Sequence, residues 1–188
     1  MKKLFIEALI GLVLVIGGFL LWNLRLNFEV ANAQPPVPDR NQTASAPVGA
    51  TIEGQPNHFS VPSLHMSLPV INGYYSTDTK QWTLTLSEVQ YATVTPPPNN
   101  FSGNTFLYGH YRPEVFYNLH NIAIGADAIV TTTNGHTFTY QLAKVSVVNP
   151  SNDALFTYKG SPILTVQTCT GTFFQYRQLF IFKLIKAI

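Results

Sequence analysis

From Asn57 to the C-terminus the sequence predicts an all-β domain: a closed or nearly closed barrel of seven or eight short strands with one or two short helical turns. Two observations carry this expectation. Short apolar runs alternate with neutral polar residues at a period of two and are bounded every few positions by Pro, Gly or Asn, the signature of half-buried strands joined by tight turns. Thirteen Phe, nine Tyr and 19 Thr supply strand-favouring side chains, while only 11% of the chain is charged.

The elements follow in order. Trp82, Leu84 and Leu86 alternate with Thr83 and Thr85 and predict a strand, and residues 104–108 predict another leading into Gly109. Residues 113–122 carry the one short helical pattern: Pro113 suits a helix start, Glu114 suits its positive end, and Phe116, Leu119 and Ile122 share a face. Residues 129–133, Asn134-Gly135 and residues 136–147 predict a hairpin whose Asn-Gly pair takes the positive φ values of a type I′ turn. In its second arm Phe138, Tyr140 and Leu142 fall on even positions but Val145 and Val147 on odd ones. The buried face therefore switches near Ala143, which requires a bulge or bend. Residues 163–168 and 176–185 form the last two strands.

The N-terminal part has a different character. Lys2 and Lys3 precede an apolar run of 19 residues, 4–22, broken only by Glu7. At about 1.5 Å per residue it nearly matches a hydrocarbon core of roughly 30 Å, and the lysines favour an N-in orientation. A cleaved signal peptide is the competing reading, because Ala31-Asn32-Ala33 suits signal peptidase; the length of the run and the intervening Arg25 and Glu29 favour an uncleaved anchor. In either case the rest of the chain is exported, and the organisation expected is an anchor over 1–31, a Pro- and Asn-rich disordered linker over 32–56, and a folded domain over 57–188. With the anchor retained, that domain lies on the extracellular face of the cell membrane.

A net charge of +2 excludes the basic stripe that nucleic acid would need, and a single cysteine excludes an internal disulfide framework and a multi-cysteine zinc site. That cysteine, Cys169, ends an apolar-alternating segment and is followed by Thr170-Gly171-Thr172, a turn sequence. A lone cysteine is commonly a small buried hydrophobe. In an exported domain an accessible thiol is open to oxidation, so its retention at a strand mouth suggests use as a nucleophile. Such a nucleophile needs a proton donor and acceptor, and a group to stabilise an oxyanion.

Of the five histidines, His58, His65, His120 and His136 suit surface or packing roles. His110 follows Gly109 at a strand end, where an imidazole can be aimed into a cleft. Only Arg112 and Arg177 are arginines of the folded part. Arg177 opens the last strand eight residues after Cys169, close enough for the two to meet across neighbouring strands, whereas Arg112 sits beside Pro113 and Glu114 in what reads as a solvated loop. Thr168, next to the cysteine, is either substrate-facing or simply a β-branched strand end. Asp127 and Asp153 sit among turn-forming neighbours and read as turn residues.

Gly109-His110, then Phe116 and Leu119, then Thr165-Val166-Gln167-Thr168-Cys169, then Arg177, in this order and spacing, resemble a sortase. The family's cysteine motif is Thr-Leu-x-Thr-Cys; Val166 departs from it but keeps an apolar strand position. Gly125-Ala126-Asp127 resembles the family's Gly-Asp turn with one residue inserted, and the anchor and linker match its usual layout. The resemblance implies an eight-stranded sortase-like barrel. It also implies a cysteine transpeptidase that cleaves a C-terminal sorting signal, Leu-Pro-x-Thr-Gly or a variant, through a thioacyl enzyme and passes the protein to an amine.

By the same resemblance Cys169 is the nucleophile, His110 the general acid and base, and Arg177 the electrostatic clamp. The partners implied are surface proteins or pilins carrying the signal and an amine acceptor such as cell-wall precursor. No cofactor or metal is expected, since the acids of the folded part are scattered. The loop over 148–162 is the place for signal specificity. One alternative is a tethered β-domain that binds a wall polymer or peptide with an inert cysteine. Another, a murein transpeptidase, fits less well because such enzymes keep His and Cys in one short motif, and here they lie 59 residues apart.

Overall fold

Alternation in the sequence becomes a barrel because each strand has one face that must leave water and the closed sheet gives all of those faces a common interior. The computed structural model describes residues 50–79 and 81–188. In chain order the strands are β1 (Pro56–Val61), β2 (Met66–Gly73), β3 (Tyr75–Ser76), β4 (Gln81–Trp82), β5 (Val89–Ala92), β6 (Asn104–Tyr108), β7 (Asp127–Thr132), β8 (Thr137–Val148), β9 (Ile163–Thr170) and β10 (Tyr176–Ala187). Eight of them close in the order β1-β2-β5-β6-β9-β10-β8-β7, and β3 and β4 form a separate small hairpin. The β2/β5 and β6/β9 pairs are parallel and the other barrel pairs antiparallel.

Parity along the strands decides what faces where. Leu107 of β6, Leu164 and Val166 of β9, and Phe180 and Phe182 of β10 belong to the interior cluster with Phe59, Phe138, Tyr140 and Leu142. Their neighbours Phe106, Tyr108, Ile163, Leu179 and Ile181 face outward into a second apolar cluster, which residues of the long β8–β9 connection cover. Val166, the position that departs from the family motif, is fully buried. The face switch in β8 is a bulge: Lys144 pairs with Ile181 and Leu142 with Phe182, which leaves Ala143 without a partner in the ladder.

Three local expectations are corrected. The strand expected over Trp82 to Leu86 ends at Trp82. Beyond it the Thr85 hydroxyl accepts from the Glu88 N–H at 3.3 Å, a local bond that competes with a ladder, and Leu84 and Leu86 are exposed. The β7–β8 turn is not type I′, because Gly135 (φ +88°) has positive φ and Asn134 does not. The Gly135 N–H donates to the Thr132 carbonyl at 3.0 Å, so the loop is the longer kind in which a turn is followed by one left-handed residue. The helical pattern over 113–122 becomes a turn and a 3₁₀ segment, Tyr117–Asn121, with Phe116 and Leu119 fully buried as their shared face required. A second 3₁₀ turn spans Pro62–Leu64.

The chain before β1 is tied down from Ala50 onward: the Asn100 side chain donates to the Ala50 carbonyl at 3.0 Å and the Gly54 N–H to the Pro98 carbonyl at 3.1 Å. The apolar run 4–22 and residues 32–49 of the expected linker lie outside the described residues. Among the described residues no helix is long and apolar enough to cross a membrane.

Candidate active site

Three neighbouring strands, β6, β9 and β10, converge at one end of the barrel. Parallel pairing of Tyr108 with Gln167 sets the chain beyond β6 beside the end of β9, so that two residues further on His110 comes alongside Cys169. Antiparallel pairing sets Arg177 directly opposite Cys169 on the other side. His110, Cys169 and Arg177 all fall on the outward parity of their strands, the parity of Tyr108, Gln167 and Leu179, and all three line one cavity of about 650 Å³.

Gly109 follows β6 directly and packs closely against Val115 and Phe116. Its N–H donates to the Gln167 carbonyl at 3.1 Å, continuing the β6–β9 pairing by one residue. A Cβ there would lie 2.8 Å from Val115 Cγ1 and 3.0 Å from the Phe116 ring, so no other residue fits without displacing a fully buried phenylalanine. The Phe116 N–H donates to the His110 carbonyl at 3.2 Å, so the buried end of the helical pattern fixes the histidine's backbone.

Thr168, read as either substrate-facing or structural, has the inward parity of Leu164 and Val166. It borders the cavity, but the residue is 2% exposed and its hydroxyl donates to the Gly109 carbonyl at 3.0 Å. The hydroxyl therefore clamps β9 to the residue before His110.

The Arg177 guanidinium is held by its own turn: Nη1 donates to the Phe174 and Tyr176 carbonyls at 3.1 Å each. Among the described residues no carboxylate pairs with it, and no Asp or Glu lines the cavity. Arg177 lines the cavity beside Cys169. Burial, and secondarily the charge of Arg112, hold the His110 imidazole below the usual histidine range. Arg112 itself is exposed and paired with Glu114 at 3.4 Å.

The other histidines stay away from the cavity. His58 is bonded to Ser67 Oγ at 2.7 Å, His65 takes a left-handed conformation (φ 50°) after the first 3₁₀ turn, His120 is bonded to the Tyr117 carbonyl, and His136 follows the β7–β8 turn. Asp127 opens β7, and Asp153 lies in the β8–β9 connection; neither lines the cavity. Among the described residues no three His, Cys, Asp or Glu side chains gather as a metal site would require.

Sequence reasoning missed the aromatic wall. Tyr75, Trp82, Phe106, Tyr108 and Phe156 line the cavity. The outward parity of Phe106 and Tyr108, two large rings on the face away from the interior, is the sequence signal that could have found part of it. Pro150, Asn152 and Phe156 bring the 148–162 loop, where specificity was expected, to the same cavity.

A family model described as the sortase domain matches residues 59–184. The chain belongs to the sortase family. No curated protein matches it. Solved sortases share its fold. Sortase C1 of Streptococcus agalactiae, in complex with MTSET, is 21% identical with a TM-score of 0.56, over 69% of this chain and 66% of that one. Sortase E1 of Streptomyces coelicolor, with a tripeptide in its active site, is 23% identical with a TM-score of 0.55, over 72% and 90%. A pilus-related sortase C of Group B Streptococcus is 24% identical with a TM-score of 0.56, over 72% and 69%. The chain thus spans about two thirds of the length of the Streptococcus agalactiae structure. The Gly109-His110 step, the Thr168-Cys169 end of β9 and the start of β10 all lie within the matched sortase domain.

Proposed function

We propose that this sortase is a membrane-anchored cysteine transpeptidase. The observation that carries the reading is the meeting of Cys169, His110 and Arg177 from three adjacent strands in one cavity. The Cys169 sulfur, as thiolate, attacks the carbonyl of the scissile peptide bond and forms a tetrahedral intermediate. Arg177, with no carboxylate competing for it among the described residues, stabilises the oxyanion. The C–N bond breaks as the His110 imidazolium gives its proton to the leaving amine, which leaves a thioester on Cys169. An incoming amine then attacks the thioester, neutral His110 takes its proton, and the thiolate departs.

The substrate is a C-terminal sorting signal of the Leu-Pro-x-Thr-Gly kind on a surface protein or pilin, and the acceptor an amine of cell-wall precursor or a pilin lysine. Residues 4–22 hold the domain at the extracellular face of the membrane, the placement such partners require. The test is incubation of the full chain with pentapeptide signals and mass detection of a Cys169 thioacyl adduct. Cys169→Ala should abolish the adduct and leave the fold intact. A native fold that forms no adduct with any signal would refute the enzymatic reading in favour of a binding domain with an inert cysteine.

A further inference from the structure

We propose that the end of the barrel opposite Cys169 docks on the surface of an anionic lipid bilayer, which holds the Cys169 end roughly 30 Å from the headgroups. This rests on the membrane-anchored part of the proposed function and adds to it a bilayer contact made by the folded domain itself.

The chain reaches its first strand along that end. The Ile52 N–H donates to Asn100 Oδ1 at 3.0 Å and the Asn100 N–H to the Ile52 carbonyl at 3.1 Å. The Asn134 side chain donates to the Glu53 carbonyl and the Thr133 N–H to the Gln55 carbonyl, each at 2.9 Å. Asn100 belongs to the β5–β6 connection and Asn134 to the β7–β8 turn. Strand directions put both where β6 and β9 begin and β10 finishes, whereas His110, Cys169 and Arg177 lie where β6 and β9 finish and β10 begins. At about 3.3 Å per residue the two ends of β10 are roughly 30 Å apart. These bonds therefore fix where the preceding chain, with its apolar run 4–22, joins the domain: at the end away from Cys169.

The same end carries the two kinds of side chain that an anionic bilayer takes up. Val94 and Phe101 of the β5–β6 connection are 62% and 48% exposed, and Ile185 and Ile188, at the close of β10 and just past it, are 53% and 61% exposed. Lys159, Lys183 and Lys186 are exposed as well. Lys183 pairs with Ile163, the first residue of β9, and Lys186 with Thr139 near the start of β8. Lys159 precedes Gly160, whose carbonyl accepts from the Gly103 N–H at 2.8 Å just before β6. The acid at this end, among the described residues, is Glu53. Glu88, Glu114 and Asp127 lie at the other end, and Asp78 and Asp153 in the β3–β4 hairpin and the β8–β9 connection. Apolar side chains gain by leaving water for the headgroup boundary, and each lysine near an anionic surface adds roughly fivefold in affinity. A neutral apolar partner has no use for the lysines, and a soluble polyanion none for the isoleucines. A bilayer uses both, and it is the surface that the preceding chain brings to this end.

The test places a single indole in the full chain, reconstituted in vesicles of phosphatidylcholine and phosphatidylglycerol with bromine-labelled acyl chains. Both native tryptophans are removed as Trp22→Phe and Trp82→Phe, and Phe101→Trp, Ile188→Trp or Phe173→Trp is added. Phe173, 79% exposed in the β9–β10 turn at the Cys169 end, is the control. Bromine should quench the Phe101→Trp and Ile188→Trp chains by about twofold or more and leave the Phe173→Trp chain unchanged. Vesicles of phosphatidylcholine alone, or Lys159, Lys183 and Lys186 all replaced by Gln, should remove most of that quenching. No quenching at any position, quenching equal at all three or confined to Phe173→Trp, or quenching that the lysine replacements leave unchanged overturns the proposal. Salt-sensitive binding of a soluble polyanion without bromine quenching assigns the lysines elsewhere and overturns it too. Anchoring is read separately by flotation after carbonate extraction. A chain that stays with the vesicles unquenched keeps the anchor and refutes docking, one that is quenched but extracted keeps docking and refutes the anchor, and one that never floats refutes both.

Discussion

Replacing Thr168 by Val tests whether the clamp between β9 and Gly109 positions His110, the proposed acid and base. The substitution keeps the shape and removes the hydroxyl that donates to the Gly109 carbonyl at 3.0 Å. Both residues are buried, so water does not replace the lost donor, and the orphaned carbonyl costs about 1–3 kcal/mol. The added methyl offsets part of this, which leaves a net loss of about 1–2 kcal/mol and a fall in Tm of roughly 3–8 °C. The effect on chemistry follows from the next residue: His110 is carried by Gly109, and a displacement of about 1 Å costs on the order of a hundredfold in rate. A fall in kcat of roughly 10- to 100-fold with KM little changed is therefore expected. Thr168→Ser, which restores the hydroxyl, should recover most of the rate. Thermal unfolding followed by circular dichroism and steady-state transpeptidation with a signal peptide supply both readouts. An unchanged Tm with KM alone raised would refute the reasoning and return Thr168 to a substrate-facing role.

Gly109→Ala should be more damaging, because its Cβ would meet Val115 at 2.8 Å and the Phe116 ring at 3.0 Å. Overpacking of this kind costs about 1–3 kcal/mol, and Tm together with adduct formation should both fall; normal values for both would show that the strand end has room to give. Arg112→Gln removes the secondary cause of the lowered His110 pKa and leaves burial, the larger one, in place. The His110 midpoint in a proton NMR titration should therefore rise but stay below the usual histidine range. In the proposed mechanism acylation needs the imidazolium and is lost as pH rises through that pKa, so the alkaline limb of the acylation rate should move to higher pH; an unmoved midpoint would show that the Arg112 charge is screened.

Which parts of this molecule were legible in its sequence depends on whether one local pattern decides the outcome. In β9 it does: Leu164 and Val166 alternate with Thr165 and Gln167 and face inward, whereas β6 and β10 carry continuous apolar runs, Phe106 to Tyr108 and Leu179 to Phe182, that are buried on both faces. Cys169 then falls on the outward face as a matter of parity, and strand pairing brings His110 and Arg177 beside it. The bulge at Ala143 was legible for the same reason, as a change of parity with no change of apolar character. Thr168 was left open between a substrate-facing and a structural role because it adjoins Cys169, although its position continues the inward series of Leu164 and Val166. Where a second factor decides, local pattern fails. Trp82, Leu84 and Leu86 alternate as well as any strand here, yet the pattern ends at Trp82 because the two-residue β3 is the strand it pairs with and the Thr85 hydroxyl bonds locally. The aromatic wall is the clearest case. Trp82, Tyr108 and Phe156 lie far apart in the chain and meet only because the β3–β4 hairpin and the β8–β9 connection both fold over the same outward face. No periodicity within any one of these segments encodes that meeting. What periodicity does encode is that Phe106 and Tyr108 point away from the interior, and two large rings so placed on a central strand need a cover. The cover is the cavity wall, so the demand of the β6 rings for burial and the shape of the cavity beside Cys169 have one physical origin.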